Sequence, residues 1–475
     1  MSRRAPAAPD REAPFHTPLS WRVLSGGVLC GGLALGFGLS RSRVRRLLPL
    51  ATAGVAIGAA IPVALASRRP PITPEVARTA LIAADPRPTF SVVIVARDEA
   101  VALPRLIADL GRQTYRDVAG RLWFEVIIVD DRSSDGTGKA ATEAGEAAGL
   151  GAALRIVERR GVGLADGKGA ALTAAQPEIC AGDIVLVLDA DARLEPEFLG
   201  RAAGYFAAGS VALTARRRTL NADRGWLEGA QADEQTLDGE LNRGRWAMGG
   251  CSEFRGNGIM VRRDLLVSVG GWRAAALTED TDLSSRVAVA TGRGVGWAID
   301  AEVWEEPVTS YRALWTQRKR WAEGALRRYL EHSSAVLRSP HVGIRAKVDY
   351  ATYAGQLAVP GIALGAAAGS MASRRPKSLL AMTLGYFGAS AILAWDSLRW
   401  EGPAPTSWDR LRRTVRVTIF NGLWLAVVPR ALANIALSRG PIRYVKMLHE
   451  GAGEPVASLS TFPATPDKQE ISGDR

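Results

Sequence analysis

Three short runs of β-branched and aliphatic residues set the strongest limit on what this chain can fold into. They are Phe90-Ser-Val-Val-Ile-Val95, Phe124-Glu-Val-Ile-Ile-Val129 and Asp183-Ile-Val-Leu-Val-Leu188. Continuous apolar runs of this length read as strands covered on both faces, the condition of a mainly parallel sheet. Between them lie stretches of helical character, Ala100 to Gln113 and Gly167 to Gln176. Strand and helix therefore alternate, which predicts a doubly wound α/β sheet. Sheets of this kind bind ligands beyond the carboxyl ends of their strands, so the residues that follow each run are where chemistry is expected.

Those residues are acidic. Asp130 and Asp131 follow the second run, in Val-Asp-Asp-Arg-Ser-Ser-Asp-Gly-Thr, and Asp189 and Asp191 follow the third, in Leu-Asp-Ala-Asp-Ala. Acids are common in turns for local reasons, but here two strand ends aim carboxylates at one crevice. Carboxylates one residue apart suit Mg²⁺ or Mn²⁺, hard ions that keep open positions for a diphosphate. Such an ion neutralises charge on a departing nucleotide diphosphate. Lys168, in Gly167-Lys-Gly-Ala, can add a cation beside the phosphates or be a solvated lysine at a helix start.

Two further clusters lie downstream. Leu277-Thr-Glu-Asp-Thr-Asp-Leu283 concentrates Glu279, Asp280 and Asp282. It can be a capped helix start with acids favoured by the helix dipole, or it can supply an aspartate that takes the proton of an attacking hydroxyl. Gln317-Arg-Lys-Arg-Trp321 sits in a basic helix-like run. Gln317, Arg320 and Trp321 share one face at i, i+3 and i+4. Trp stacks on a sugar ring, Arg pairs with an oxyanion and Gln bonds hydroxyls; the alternative is an amphipathic helix lying on anionic lipid.

The flanks have a different character. Residues 1–20 form a Pro-, Ala- and Arg-rich stretch without apolar periodicity, expected to be a disordered tail. Trp21 to Ser40 and Leu47 to Ala66 each approach the ~20 residues that cross a bilayer, so 21–68 is expected to be a membrane hairpin. Residues 86–330 are expected to form the catalytic domain, 331–347 an interfacial linker, 348–438 C-terminal membrane helices and 439–475 a polar tail. The C-terminal apolar stretches are Tyr350 to Met371, Leu379 to Trp395 and Val415 to Ala436, the last holding Pro429 and Arg430. Three separated cysteines, Cys30, Cys180 and Cys251, imply ordinary thiols in a reducing compartment. Four scattered histidines give no zinc-ligand spacing. The net charge of +12 is attributed to membrane attraction, because the arginine clusters adjoin apolar runs; no nucleic-acid partner is expected.

The series Val-Ala-Arg-Asp-Glu99, Val-Asp-Asp-x-Ser-x-Asp-Gly-Thr, Asp-Ala-Asp191, Thr-Glu-Asp280 and Gln-x-x-Arg-Trp321, followed by apolar spans, resembles the family 2 glycosyltransferases with a GT-A fold. Within them it resembles the membrane-bound branch with cellulose, chitin and hyaluronan synthases and ceramide glucosyltransferases. The resemblance covers roughly residues 88–330. It implies a GT-A domain flanked by transmembrane helices and an inverting transfer from a nucleotide-diphosphate sugar, such as a UDP-hexose, assisted by Mg²⁺ or Mn²⁺. Arg97, Glu99, Asp130 and Asp131 would line the nucleoside pocket, and Lys168 would sit by the diphosphate. Asp189 and Asp191 would contact diphosphate and metal, and Asp280, beside Glu279, would be the base. Gln317, Arg320 and Trp321 would frame the acceptor and leaving group, with Arg255, Gly256 and Asn257 on the acceptor side. The acceptor is expected to be a membrane-presented lipid or glycan, with the catalytic domain cytoplasmic. Alternatives are a processive polysaccharide synthase and a non-catalytic sugar-nucleotide-binding scaffold.

Overall fold

The computed structural model describes residues 16–42, 61, 63–161, 165–374, 376–400 and 405–438. Most of the N-terminal tail, most of the Leu47 to Ala66 run and the 439–475 tail lie outside the described residues. The centre is an eight-stranded sheet: β1 (Phe90–Ala96), β2 (Phe124–Asp131), β3 (Leu154–Arg159), β4 (Ile184–Asp189), β5 (Arg193–Leu194), β6 (Ala212–Thr219), β7 (Ile259–Arg262) and β8 (Gly296–Glu305). Their order is β3-β2-β1-β4-β7-β6-β8-β5. β1 to β4 are mutually parallel where they pair, whereas β7 runs antiparallel to both β4 and β6. The sheet is thus more mixed than the alternating pattern predicts.

Both faces are covered, as continuous apolar runs require. Phe90, Val92 and Ile94 pack with Leu106, Phe198 and Phe206 on one side; Val93, Val185 and Val187 pack with Leu172, Leu283 and Val287 on the other. Register then decides where the acids go. Ala96 of β1 lies opposite Asp130 of β2, and Val95 opposite Asp189 of β4, so three strand ends finish level at one edge of the sheet.

Helical boundaries differ from the expected ones for local reasons. Ala100 to Gln113 narrows to Leu103–Gly111. Gly167 to Gln176 becomes a short helix, Lys168–Leu172, and a 3-10 turn that stops before Pro177, whose ring disfavours helix in the preceding residue. The boundary expected at 330 falls inside one helix, Tyr311–Arg338. Tyr350 to Met371 is two helices, Ile344–Gly355 and Val359–Ala372, joined by a 3-10 turn just before Pro360. Val415 to Ala436 is likewise split between Ser407–Asn421 and Trp424–Leu437.

The helix Leu19–Arg41 packs on Val359–Ala372 through facing glycines. A Cβ on Gly36 would lie 2.0 Å from the Ile362 carbonyl oxygen, and one on Gly365 would lie 2.0 Å from that of Leu33. Glycines spaced by four residues let helix backbones approach this closely. Gly365→Leu is therefore expected to separate the two helices. The readout is a lower melting temperature in detergent, with Gly27→Leu, where open space awaits a Cβ, as the comparison.

Candidate active site

One cavity of about 1690 Å³ opens at the carboxyl edge of the sheet. It gathers nearly every residue singled out in the sequence. From the first strand-end loops come Arg97, Glu99 and Asp131; from β4 and beyond, Asp189 and Asp191; from the start of the Lys168–Leu172 helix, Lys168. Arg255, Gly256 and Asn257 enter from the segment before β7, Glu279 and Asp280 from the start of the Glu279–Thr291 helix, and Gln317, Arg320 and Trp321 from the long basic helix. Asp189 and Asp280, remote in sequence, share this one cleft.

Asp130 is the exception: it does not line the cavity. Its Oδ1 accepts the Ser133 amide at 3.0 Å, and its Oδ2 lies 3.0 Å from where a Cβ on Gly138 would be. It shapes the loop, while Asp131 faces the cleft and accepts from Arg159 at 2.7 Å and Arg132 at 3.0 Å. The rest of that motif clasps the first loop. Asp98, at a left-handed φ of 52°, accepts from the Ser134 amide at 2.8 Å and donates its own amide to Ser133 Oγ at 3.0 Å. The Glu99 amide donates to Thr137 Oγ1 at 2.8 Å, and that of Ala100 to Asp135 at 3.0 Å. Ser133, Ser134, Asp135 and Thr137 thus set the backbone that carries Arg97 and Glu99. The Ser-x-Asp-Gly-Thr spacing carried this signal, although the sequence reading assigned those residues no role.

Lys168 is a half-buried, ion-paired cation rather than a solvated one. Its Nζ donates to Asp189 at 2.5 Å and to the Gly256 carbonyl at 2.9 Å, and it lies 3.5 Å from Glu279. Burial alone would lower its pKa, but Asp189 and Glu279 outweigh that and hold the ammonium above its usual range. Asn257 is a positioning group: its Oδ1 accepts the Asp189 amide at 3.1 Å, tying the end of β4 in place. Arg255 is held by Asp238 at 2.5 Å and Glu253 at 3.0 Å.

Asp280 occupies the first turn of its helix and accepts the Thr281 amide at 2.8 Å. Burial raises its pKa; the Thr281 amide, Lys168, Arg255 and Arg217 oppose the rise without cancelling it. Glu279 is raised too, by burial, with Lys168 opposing. A carboxylate with a raised pKa is a stronger base than an ordinary one and suits proton removal from a hydroxyl. The loop that bears it touches the basic helix at Gly324, where a Cβ would meet the Thr278 side chain at 2.2 Å.

The sequence reading missed Arg318. It is 2% exposed, donates to Glu234 at 2.5 Å and stacks 4.1 Å from the Trp321 ring centroid. Glu234 also accepts from the Trp424 indole at 3.0 Å, so Trp321 is braced from the C-terminal helices. In a run of arginines nothing marks which one turns inward.

Two carboxylates at the cleft fit a divalent cation. The Asp189 side chain is 39% exposed and keeps an oxygen beyond the one Lys168 engages, and Asp191 lines the same wall. A second cluster, Asp282, Glu331 and His332, has its ligand atoms within 4.8 Å of one another. Its charge is already met, because Arg273 and Arg286 contact Asp282 at 2.9 and 2.8 Å. It is an ion-pair network.

Known proteins resemble this chain in sequence and in fold. Residues 91–270 match the family described as Glycosyl transferase family 2, and residues 184–395 that described as Glycosyl transferase family group 2. The chain is 32% identical over 389 residues to a beta-monoglucosyldiacylglycerol synthase of Synechocystis sp., covering 79% of this chain and 78% of the relative. It is 30% identical to a protein of the same name from Trichormus variabilis, over 77% of this chain and 78% of that one. In fold it is similar to a mannosyltransferase of Pyrobaculum calidifontis solved with GDP-Man and Mn²⁺, with a TM-score of 0.51 and 21% identity over 80% of this chain and 99% of the other. The chain is a glycosyltransferase with the α/β architecture of the GT-A fold, and it belongs to family 2.

Proposed function

We propose that this enzyme transfers a hexose, with inversion, from a UDP-sugar to the free hydroxyl of a diacylglycerol-like lipid at a membrane. The observation that carries the reading is the continuity of the cavity. From Asp189, Asp191 and Asp280 it extends past Leu241 of the Trp226–Ala247 helix to Ile362, Leu364, Phe387, Leu393 and Leu425 among the terminal helices. At about 1690 Å³ it exceeds the roughly 300–1,000 Å³ that a single small ligand occupies. The cavity thus offers charged residues for a nucleotide sugar and apolar ones for acyl chains. The relatives named for monoglucosyldiacylglycerol synthesis support the same acceptor class.

Two apolar stretches support membrane residence. Leu19–Arg41 and Ser407–Leu437 are long and apolar enough to cross a bilayer, with mean hydropathies of 1.7 and 1.4. The catalytic domain lies on the cytoplasmic side, where sugar nucleotides are found. In the reaction, Arg97, Glu99 and Asp131 hold the nucleoside, and Lys168 bonds the diphosphate. Asp280 takes the proton of the attacking hydroxyl, while Trp321 and Arg320 frame the acceptor. Asp189 and Asp191 would hold Mg²⁺ or Mn²⁺, which supplies Lewis-acid stabilisation of the departing diphosphate.

Purified protein in detergent, given a panel of sugar nucleotides, diacylglycerol and Mn²⁺, is expected to release nucleoside diphosphate and add one hexose mass to the lipid. A ladder of hexose increments would favour a processive synthase, and donor binding without turnover would favour a non-catalytic scaffold. Chelation is expected to lower turnover by about 10³-fold, the several kcal/mol of a Lewis acid, and added Mn²⁺ to restore it. Undiminished turnover in chelator would overturn the metal assignment.

A further inference from the structure

Asn257 engages a different partner at each end of its side chain. Its Oδ1 accepts the Asp189 amide at 3.1 Å. Its Nδ2 donates at 3.4 Å to Oε2 of Glu305, the last residue of β8. A carboxamide accepts at one end and donates at the other, whereas a carboxylate only accepts. Glu305 therefore selects one of the two orientations of the Asn257 amide, the one that turns an oxygen toward Asp189. The opposite orientation would set an NH2 against the Asp189 N–H and an oxygen against the Glu305 carboxylate. Both pairings are repulsive, at a residue only 1% exposed.

The carboxylate is itself held from the other side. Glu305 Oε1 accepts from Gln235 Nε2 at 2.6 Å, and Arg217 lies 3.5 Å from the same oxygen. Gln235, on the Trp226–Ala247 helix, is oriented in turn by Thr219, whose hydroxyl donates to its Oε1 at 2.7 Å. Donors from two sides thus converge on Glu305, and Gln235, Asn257 and Glu305 all line the catalytic cavity. The backbone at Asn257 is equally constrained. Gly256 and Gly258 flank it with φ of 71° and 72°, left-handed values that favour glycine, and a Cβ on Gly258 would lie 2.4 Å from that of Ala215.

We propose that Glu305 is a positioning residue for the transfer: it orients the Asn257 amide and, through Asn257, holds the end of β4 so that Asp189 faces the departing diphosphate. The proposal rests on the transferase reading for the part played by Asp189.

The test reverses the polarity of the pair. Asn257→Asp sets two carboxylates against each other. It is expected to weaken UDP binding in the presence of Mn²⁺ about tenfold and to lower kcat by a similar factor, the scale of one hydrogen bond to a charged group. Adding Glu305→Gln supplies an amide that still accepts from Gln235 and can donate to the new carboxylate, so most of both losses should be recovered. Combining Asn257→Asp with Glu306→Gln instead gives the same net charge without the complementary amide, and should recover neither; Glu306 lines the same cavity and pairs with Arg105 at 3.0 Å. Calorimetry on full-length protein in detergent reads the binding, lipid product reads the turnover, and a thermal melt reads folding. Where Asn257→Asp lowers the melting temperature, Glu305→Gln should restore it. A reversed pair no better than Asn257→Asp alone, equal recovery with Glu306→Gln, or full UDP affinity in Asn257→Asp would each overturn the proposal. Should binding follow the expected pattern while the unaltered enzyme transfers sugar to no acceptor, only the transferase reading would fall.

Discussion

Replacing Asp280 by Asn is expected to lower turnover by roughly 10²- to 10⁴-fold, the usual contribution of a positioned general base, without lowering the melting temperature. The two effects share a cause. Burial raises the pKa of Asp280, so the folded protein holds that proton more tightly than the unfolded chain does. Stability from this group is fully present below the ordinary carboxylate range and is lost as pH rises through the folded value. At neutral pH the ionised carboxylate therefore weighs against folding, and a neutral amide of the same shape relieves that while still accepting from the Thr281 amide. Catalysis has the opposite requirement. Turnover needs the ionised form and should fall, on acidification, at a higher pH than an ordinary aspartate would dictate. A kcat–pH profile and a thermal melt on the same preparations check both statements. Full turnover of the variant on a genuine acceptor would remove Asp280 from the role of base.

The second large effect is structural. Glu253→Gln is expected to destabilise the protein by about 3–5 kcal/mol, the cost of breaking a buried ion pair from one side. Glu253 is 3% exposed and contacts Arg328 at 2.9 Å, Arg255 at 3.0 Å and Arg245 at 3.4 Å. Burial pushes its carboxyl upward, but the three guanidiniums outweigh that and hold it well below the usual range. The contribution is present above the ordinary carboxylate range and lost as pH falls through the depressed value, so the variant should also flatten the acid limb of the stability profile. Arg245 reaches Asp349 at 3.0 Å, so the network joins the sheet domain to the Ile344–Gly355 helix. Denaturation followed by tryptophan fluorescence in detergent measures the loss. An unchanged midpoint would show that Arg255 and Arg245 are sufficiently held by Asp238 and Asp349.

The strands that could be read in advance were those covered on both faces. β1, β2 and β4 are runs of Val, Ile and Leu because apolar helices pack on each side. β6 reads Ala-Leu-Thr-Ala-Arg-Arg-Arg-Thr, and its arginines pair with Glu302 and Glu305 of β8. That strand is stabilised by cross-strand charge, a partnership with no local signature. The antiparallel insertion of β7 between β4 and β6 is hidden because a four-residue apolar strand carries no local mark of its direction or its partners.

Acid positions were legible because neighbouring parallel strands end at the same edge of the sheet, and a carboxylate at the end of such a run reaches that edge whatever follows. Which carboxylates act there was not legible. Asp130 and Asp131 are adjacent and chemically equal, yet successive strand residues point to opposite faces, so one caps a loop and the other meets the cleft. Local covalent order thus specified the strands, their acidic ends and the helical face of Gln317, Arg320 and Trp321, since each depends on spacing along a single segment. The inward turn of Arg318, the pairing of Lys168 with Asp189 and Glu279, and the joining of a charged cleft to an apolar chamber depend on segments distant in the chain, and a contact of that kind exists only once the chain has packed.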